Sequence, residues 1–269
     1  MPFATANGIR LYYEWHGAED GTPVVLVMGL GGDTTAWPLQ LAALAPHHRV
    51  LVFDNRGAGR SDAPDVSYTS RSMAEDLLAL LDVLGVERVH LLGLSLGGTI
   101  AQETALAAPA RVASLQLHAT WAGPHPYLEA LVGAVRTLRR QLDPESFYRT
   151  LSVWLFTPEC FVRQPELVEI AVQRAAHNPH PMPLHAYLRQ TQAALGHDAR
   201  ERLHLVRCPT LVAVGAQDLI TPPVLAEELA SRIPDARYRV LPAVGHGAIW
   251  EAPATFNALC LEFLGGVGP

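Results

Sequence analysis

The sequence predicts an α/β protein with a mostly parallel sheet covered by helices on both faces. Three observations carry that expectation. Short apolar runs rich in Val, Ile and Leu alternate with segments of helical period along most of the chain. Most of those runs are continuously apolar, as suits strands buried on both faces. With 269 residues, 49% of them apolar and 17% charged, the chain can bury a large core.

The elements follow in order. Ile9–Trp15 is more alternating, which suits an edge strand. Val24–Met28, Val50–Phe53, Val89–Leu92, Val112–Leu117, Thr210–Val214 and Tyr238–Leu241 read as the other strands. Ser72-Met73-Ala74-Glu75 has the pattern of a capping box ahead of a helix that stops at Gly85. Thr221 followed by Pro222 reads as an N-cap with proline at the first helical position. Ala254–Leu264 reads as the last helix, stopped by Gly265-Gly266.

One stretch breaks the rhythm. From Trp121 to about Arg202 there are helical patterns but no convincing strand, with turn-rich AGPHP and HNPHPMP segments. Asp143-Pro144-Glu145 can open a helix inside it. This reads as a helical insertion after the sixth strand of the sheet. An insertion that long in a compact domain is usually a lid or a binding element. The expected division is 1–120 and 203–269 as core, with 121–202 as the inserted cap. No internal repeat or low-complexity tract is evident.

Composition excludes several chemistries. All 20 basic residues are Arg and there is no Lys. A Schiff-base lysine, a P-loop lysine and an SxxK base are therefore ruled out. The formal charge of −6 gives no electrostatic footprint for nucleic acid. Cys160, Cys208 and Cys260 are far apart and read as small core hydrophobes in a reducing compartment. The first residues lack the basic and apolar regions of a signal peptide, and no apolar run is long enough to span a membrane. The expectation is a cytoplasmic protein, monomer or homodimer, without nucleic-acid or membrane partners.

The strongest local signal is Gly93-Leu94-Ser95-Leu96-Gly97, followed by Gly98. It comes straight after one strand and before a helix-period segment, the context of a nucleophile elbow. Ser95 would present its hydroxyl on a sharp turn, and the glycines would let strand and helix approach closely. A serine hydroxyl needs a base held by a third group. Of twelve histidines, only His246 lies in a loop just after a late strand. Gly215-Ala216-Gln217-Asp218 directly follows the strand Thr210–Val214, which puts Asp218 on the same sheet edge as Ser95. A local Asx-type bond is the competing use for such an Asp. The strand ending in His118-Ala119-Thr120 offers no rival carboxylate. The order Ser95, Asp218, His246 is the nucleophile–acid–base order of one known triad arrangement. For the oxyanion, the candidate donors are the backbone N–H groups of Leu96 and of Leu30, in the loop Met28–Gly32.

That loop also resembles the start of a dinucleotide fingerprint, with Asp54 at the end of the next strand. The third glycine position is Thr34, so the pattern fails where helix and strand must pack closely.

Taken together, the chain resembles the α/β-hydrolase family over almost its whole length. Beyond GLSLGG, the segment Asp54-Asn55-Arg56-Gly57-Ala58-Gly59-Arg60-Ser61 is similar to the D-x-R-G-x-G-x-S segment of many esterases, perhydrolases and enol-lactonases. Asp218 with Pro222, and Gly245-His246 with Glu251 and Pro253, match its late motifs. The resemblance implies an α/β-hydrolase fold with about eight strands and a helical cap after strand 6. It implies Ser95 as nucleophile, His246 as base and Asp218 as its partner, with Asp54, Arg56 and Ser61 as scaffold. Many members have His-Gly where this chain has Met28-Gly29, a change that keeps the backbone donor. Serine at the nucleophile position excludes the dehalogenase and epoxide-hydrolase branches.

The activity so implied is a cofactor-free and metal-free serine carboxylic-ester hydrolase acting on a small to medium, largely apolar ester. A lactonase or enol-lactonase, or a perhydrolase, is the nearest alternative. A ligand receptor on this fold with little turnover is the alternative of a different class. Trp37, Trp121, Phe147, Trp154 and Phe156 are candidate pocket residues, with Met182 and Leu184 beside them.

Overall fold

A computed structural model describes residues 2–267, and its centre is an eight-stranded sheet in the order β1-β2-β4-β3-β5-β6-β7-β8. The strands are β1 (Phe3–Ala6), β2 (Ile9–Gly17), β3 (Val24–Val27), β4 (Arg49–Phe53), β5 (Val89–Leu94), β6 (Val112–His118), β7 (Thr210–Gly215) and β8 (Arg237–Leu241). β1 and β2 are antiparallel additions at one side; β4, β3 and β5 to β8 are mutually parallel.

The helices are α1 (Pro38–Leu44), α2 (Ser70–Val83), α3 (Leu96–Ala107), α4 (Pro126–Gln141), α5 (Pro144–Leu155), α6 (Pro158–Arg163), α7 (Pro165–Ala176), α8 (Leu184–Leu195), α9 (Pro223–Arg232), α10 (Ala248–Glu251) and α11 (Pro253–Gly265). α4 to α8 all fall between β6 and β7, where the sequence predicts a strandless stretch.

The apolar runs divide their side chains by the period of a strand. Val25 and Val27 of β3, with Leu51 and Phe53 of β4, enter a core shared with α2, α3 and α9. Val24, Leu26, Val50 and Val52 enter a second core against α1, α10 and α11. Each interior strand feeds both layers, which is why its sequence reads as continuously apolar. Cys160 and Cys260 are buried, Cys208 is half-buried, and all three are free thiols.

Three local expectations are corrected. Ile9–Trp15 lies within β2, whose first half, Ile9–Tyr12, is covered by β1 and is not the edge. The two strands join through Asn7 and Gly8, both at positive φ (49° and 75°), the turn that Asn-Gly favours in a two-residue hairpin. The capping box starts earlier than Ser72: Thr69 is the N-cap and Ser72 its N3 partner. The Thr69 hydroxyl accepts from Ser72 N–H at 2.9 Å, and Ser72 Oγ accepts from Thr69 N–H at 3.0 Å. Thr221 is not the cap of α9; Pro222 holds that position and Pro223 begins the helix. The Thr221 hydroxyl is committed to Asp218 instead.

The Asp54–Ser61 segment is scaffold. Asp54 is fully buried and accepts from Thr34 N–H at 2.7 Å and Arg60 N–H at 2.8 Å. Ser61 Oγ donates to the Asp54 carbonyl at 2.6 Å. Arg56 forms a buried two-pronged ion pair with Asp76, which also accepts from Asn7 Nδ2. Asp76→Ala would leave a guanidinium buried without its partner, and should lower unfolding free energy by about 3–5 kcal/mol in urea titrations.

His118, fully enclosed at the end of β6, is pushed down to about 3 by burial. Below its ordinary 6.5 the unfolded chain takes up a proton that the folded chain refuses. Its effect is therefore a loss of stability as pH falls from 6.5 towards 3, at up to about 1.4 kcal/mol per pH unit. Wild type should lose stability faster than His118→Gln between pH 7 and pH 5, measured by denaturant midpoints. Equal slopes would show that His118 does not carry this dependence.

Candidate active site

Ser95 sits where β5 turns into α3, at φ 55° and ψ −121°. Such a backbone conformation costs a residue with a Cβ about 1–3 kcal/mol. It is held in place by its own main chain: Ser95 N–H donates to the His118 carbonyl and Gly98 N–H donates to the Ser95 carbonyl, both at 2.9 Å. A Cβ on Gly93 would strike the Gly97 carbonyl, and one on Gly97 would strike the Val27 carbonyl. The glycines therefore permit direct backbone contact between α3 and the two central strands. Ser95 itself is half-buried among fully buried neighbours and faces a cavity of about 370 Å³.

His246 lies in the loop after β8 and lines the same cavity. Its Nδ1 is 2.8 Å from Asp218 Oδ2. Asp218, 2% exposed, is held by four contacts that fix both its oxygens. Oδ1 accepts from Ile220 N–H (2.8 Å) and Thr221 N–H (2.7 Å); Oδ2 accepts from Thr221 Oγ1 (2.8 Å) and takes His246 Nδ1. The local Asx-type bond and the histidine contact thus coexist on one carboxylate. With Nδ1 engaged, His246 Nε2 is the ring nitrogen left for other chemistry. Ser95 and His246 make no direct hydrogen bond among the described residues; such contacts are often long without substrate.

Leu30 lines the cavity, and Leu96 is the first residue of α3 with its side chain in the core. Neither backbone N–H has a protein partner among the described residues. Both are therefore free to meet an oxygen near Ser95.

The inserted helices supply the far wall. Tyr148, Leu151, Ser152 and Leu155 of α5 line the cavity at i, i+3, i+4 and i+7. Leu167, Ile170, Ala171 and Arg174 of α7 repeat that spacing. Of the five aromatic residues proposed from sequence, only Phe156 lines the cavity. Trp37 is fully buried in the layer under α1, and Trp121 is buried against α3. Phe147 and Trp154 pack on the neighbouring face of α5, as do Met182 and Ala186 from the other side. Leu184 is exposed. Ring size predicted burial well and cavity lining badly; the i, i+3, i+4, i+7 face of α5 was the signal that pointed to the lining residues.

Two further residues tie the loops that carry Leu30 and His246 to the helices between β6 and β7. Gln190 of α8, fully buried, accepts from Gly31 N–H at 3.1 Å and donates to the Arg56 carbonyl at 2.9 Å. Glu251 accepts from Gly245 N–H at 3.0 Å and from Thr157 Oγ1, while Gly247 N–H donates to the Leu155 carbonyl at 2.7 Å. Gln190 carries no sequence signal, because its partners are 159 and 134 residues away.

Among the described residues, no cluster of three or more His, Cys, Asp or Glu could hold a metal ion, and no helix is long and apolar enough to cross a membrane.

Comparison with known proteins agrees with this geometry. The sequence profile of the α/β-hydrolase fold matches residues 22–253. A protein of Azorhizobium caulinodans that carries the name carbamate hydrolase RutD is 35% identical over 268 residues, covering 99% of each chain. The enol-lactonase of Burkholderia xenovorans LB400 superposes with a TM-score of 0.89 at 29% identity, over 98% of this chain and 99% of that one. An esterase from Thermogutta terrifontis, solved with malate bound, gives 0.86 at 32% identity, over 99% and 98%.

Gln190→Met keeps the side-chain volume and strips both hydrogen bonds. Leaving Gly31 N–H and the Arg56 carbonyl unpaired should lower stability by about 1–3 kcal/mol, read from urea unfolding. A variant as stable as wild type would mean that water or a shifted loop replaces Gln190.

Proposed function

The chain belongs to the α/β-hydrolase fold family, and we propose that within it the protein is a serine hydrolase of carboxylic esters working through an acyl-enzyme. The observation that carries this reading is the His246–Asp218 pair opening onto the same apolar cavity as the strained Ser95. In this reading residues 121–202 are the cap, and 1–120 with 203–269 are the catalytic core.

The steps follow from the positions of the groups. Ser95 Oγ attacks the acyl carbonyl while His246 Nε2 takes its proton. Asp218 keeps the imidazole in the tautomer with the proton on Nδ1 and stabilises the imidazolium that forms. The N–H groups of Leu30 and Leu96 receive the oxyanion of the tetrahedral intermediate. His246 returns its proton to the leaving alcohol. It then activates a water that hydrolyses the acyl-enzyme, and Ser95 is regenerated.

The apolar lining supports a small to medium apolar acyl or alcohol portion. The names of the relatives favour a second reading at the level of substrate: a lactone or a carbamate presents the same kind of acyl carbonyl to the same three groups. An ester, a lactone and a carbamate of matched size, compared by kcat/KM, would rank these substrates.

Ser95→Ala should reduce kcat on a short p-nitrophenyl ester by about three orders of magnitude or more. His246→Ala should do nearly the same, and the double variant should be little worse than either alone, because the two act as one unit. A fluorophosphonate should label wild type once, on Ser95. Near-wild-type turnover by folded Ser95→Ala would sink the assignment.

A further inference from the structure

The cavity is apolar except for a few groups, and nearly all of those are satisfied by the protein. Asp33 accepts from Thr35 N–H (2.9 Å), from Thr35 Oγ1 (2.5 Å) and from Asn178 Nδ2 (2.6 Å). Arg174 donates to the Thr35 carbonyl, and Ser152 to the Arg149 carbonyl. Apart from Ser95 and His246 themselves, two hydroxyls are different. Those of Tyr148 and Tyr187 have no protein hydrogen-bond partner among the described residues, yet both side chains line the cavity. Tyr187 is only 2% exposed, so the opening left to its hydroxyl is the cavity itself.

The two tyrosines are held as a pair. Phe147 sets its ring edge-on to both, at 5.1 Å from Tyr148 and 5.7 Å from Tyr187 between centroids. Arg139 lies behind them, its guanidinium carbon 5.7 Å from the Tyr187 ring centroid and its Nε buried without a partner. Burial raises both phenols, and the Arg139 charge opposes that rise, so each hydroxyl stays a proton donor at neutral pH. A hydroxyl that lines an apolar cavity and has no protein acceptor is free to donate to an acceptor on a ligand.

One member of the pair also lies against the loop after β3. Cε2 of Tyr187, the ring atom beside the hydroxyl carbon, lies against Gly31, next to Leu30. The Tyr187 ring therefore stands beside the loop that carries one candidate oxyanion donor.

We propose that the Tyr148 and Tyr187 hydroxyls form an acceptor-binding subsite, selecting esters or lactones with a second acceptor oxygen, a ketone or a carboxylate, a few bonds from the scissile carbonyl. The substrate is then not a plain aliphatic ester. This rests on the serine-hydrolase reading, and the two can fail separately.

Ethyl pentanoate, ethyl levulinate and monoethyl glutarate have similar lengths and differ in the group at the far end. Their kcat/KM values, read by proton release, form the test. Wild type should favour at least one of the two oxygen-bearing esters over ethyl pentanoate by about tenfold or more. In Tyr148→Phe/Tyr187→Phe that ratio should fall by about tenfold. A preference for levulinate identifies a neutral acceptor; a preference for glutarate alone identifies a carboxylate. The hydroxyls have no protein partner, so the double variant should fold, with a Tm at or above that of wild type. No preference in wild type, or a ratio that survives in the double variant within twofold, would overturn the subsite.

Calorimetric binding of levulinate, glutarate and pentanoate gives a readout independent of turnover. Tighter binding of an oxygen-bearing acid that is lost in the double variant supports the subsite even if no ester is cleaved. Equal binding of all three acids, with no ester cleaved, would overturn it. Ester cleavage that persists in Ser95→Ala would instead overturn the hydrolase reading alone.

Discussion

The site depends on one backbone contact, the approach of α3 to β5 and β3 through Gly93 and Gly97. With any Cβ at either position, carbonyl oxygens of Gly97 or Val27 would be displaced. Because the contact is that close, the chain must reverse direction at Ser95 in a left-handed conformation. The hydroxyl is thereby pushed beyond the C-terminal edge of the sheet. β5 is flanked by β3 and β6, so the turn is built on an interior strand of the sheet.

Parallel pairing then brings the other groups to the same place. β3, β5, β7 and β8 run in one direction, so the loops after them emerge along one edge. Leu30, Ser95, Asp218 and His246 each follow one of these strands. No group in this set needs a long side chain to reach its partner. Asp218 is held so rigidly by Ile220 and Thr221 that His246 meets a carboxylate already in place.

The inserted helices do more than cover this edge. Gln190 clamps the loop that carries Leu30, and Leu155 with Thr157 anchors the loop that carries His246. The wall that shapes the cavity also steadies two of the loops that would do chemistry. The superpositions on the enol-lactonase and on the esterase cover 98% and 99% of this chain, so the fold they share with it takes in these helices as well as the sheet.

Much of this was legible in the sequence. Strands buried on both faces must be continuously apolar, so β3 to β7 announced themselves. GLSLGG, Asp218 and His246 were marked by strand–turn context, because each lies in the turn or loop that follows its strand. What local patterns missed was local chemistry with two competing answers. Thr69 and Ser72 both fit a cap, and Thr221 looked like a cap while its hydroxyl served Asp218. Asn7-Gly8 was a readable hairpin turn that adds the edge strand β1.

Only the tertiary structure decided which side chains face the cavity. Trp37 and Trp121 are large and apolar, and the sheet layers claimed them. Phe147 and Trp154 share a helix with Tyr148 and Leu151 but lie on the face beside the one that lines the cavity. Gln190 reaches its partners across more than 130 residues, and the two tyrosine hydroxyls are defined by partners they lack. The sequence by itself determined the fold and which candidate residues follow the strand ends, because those depend on periodicity and on contacts a few residues apart. The shape and polarity of the cavity arise from helices packed across the whole chain, a relation that no local pattern encodes.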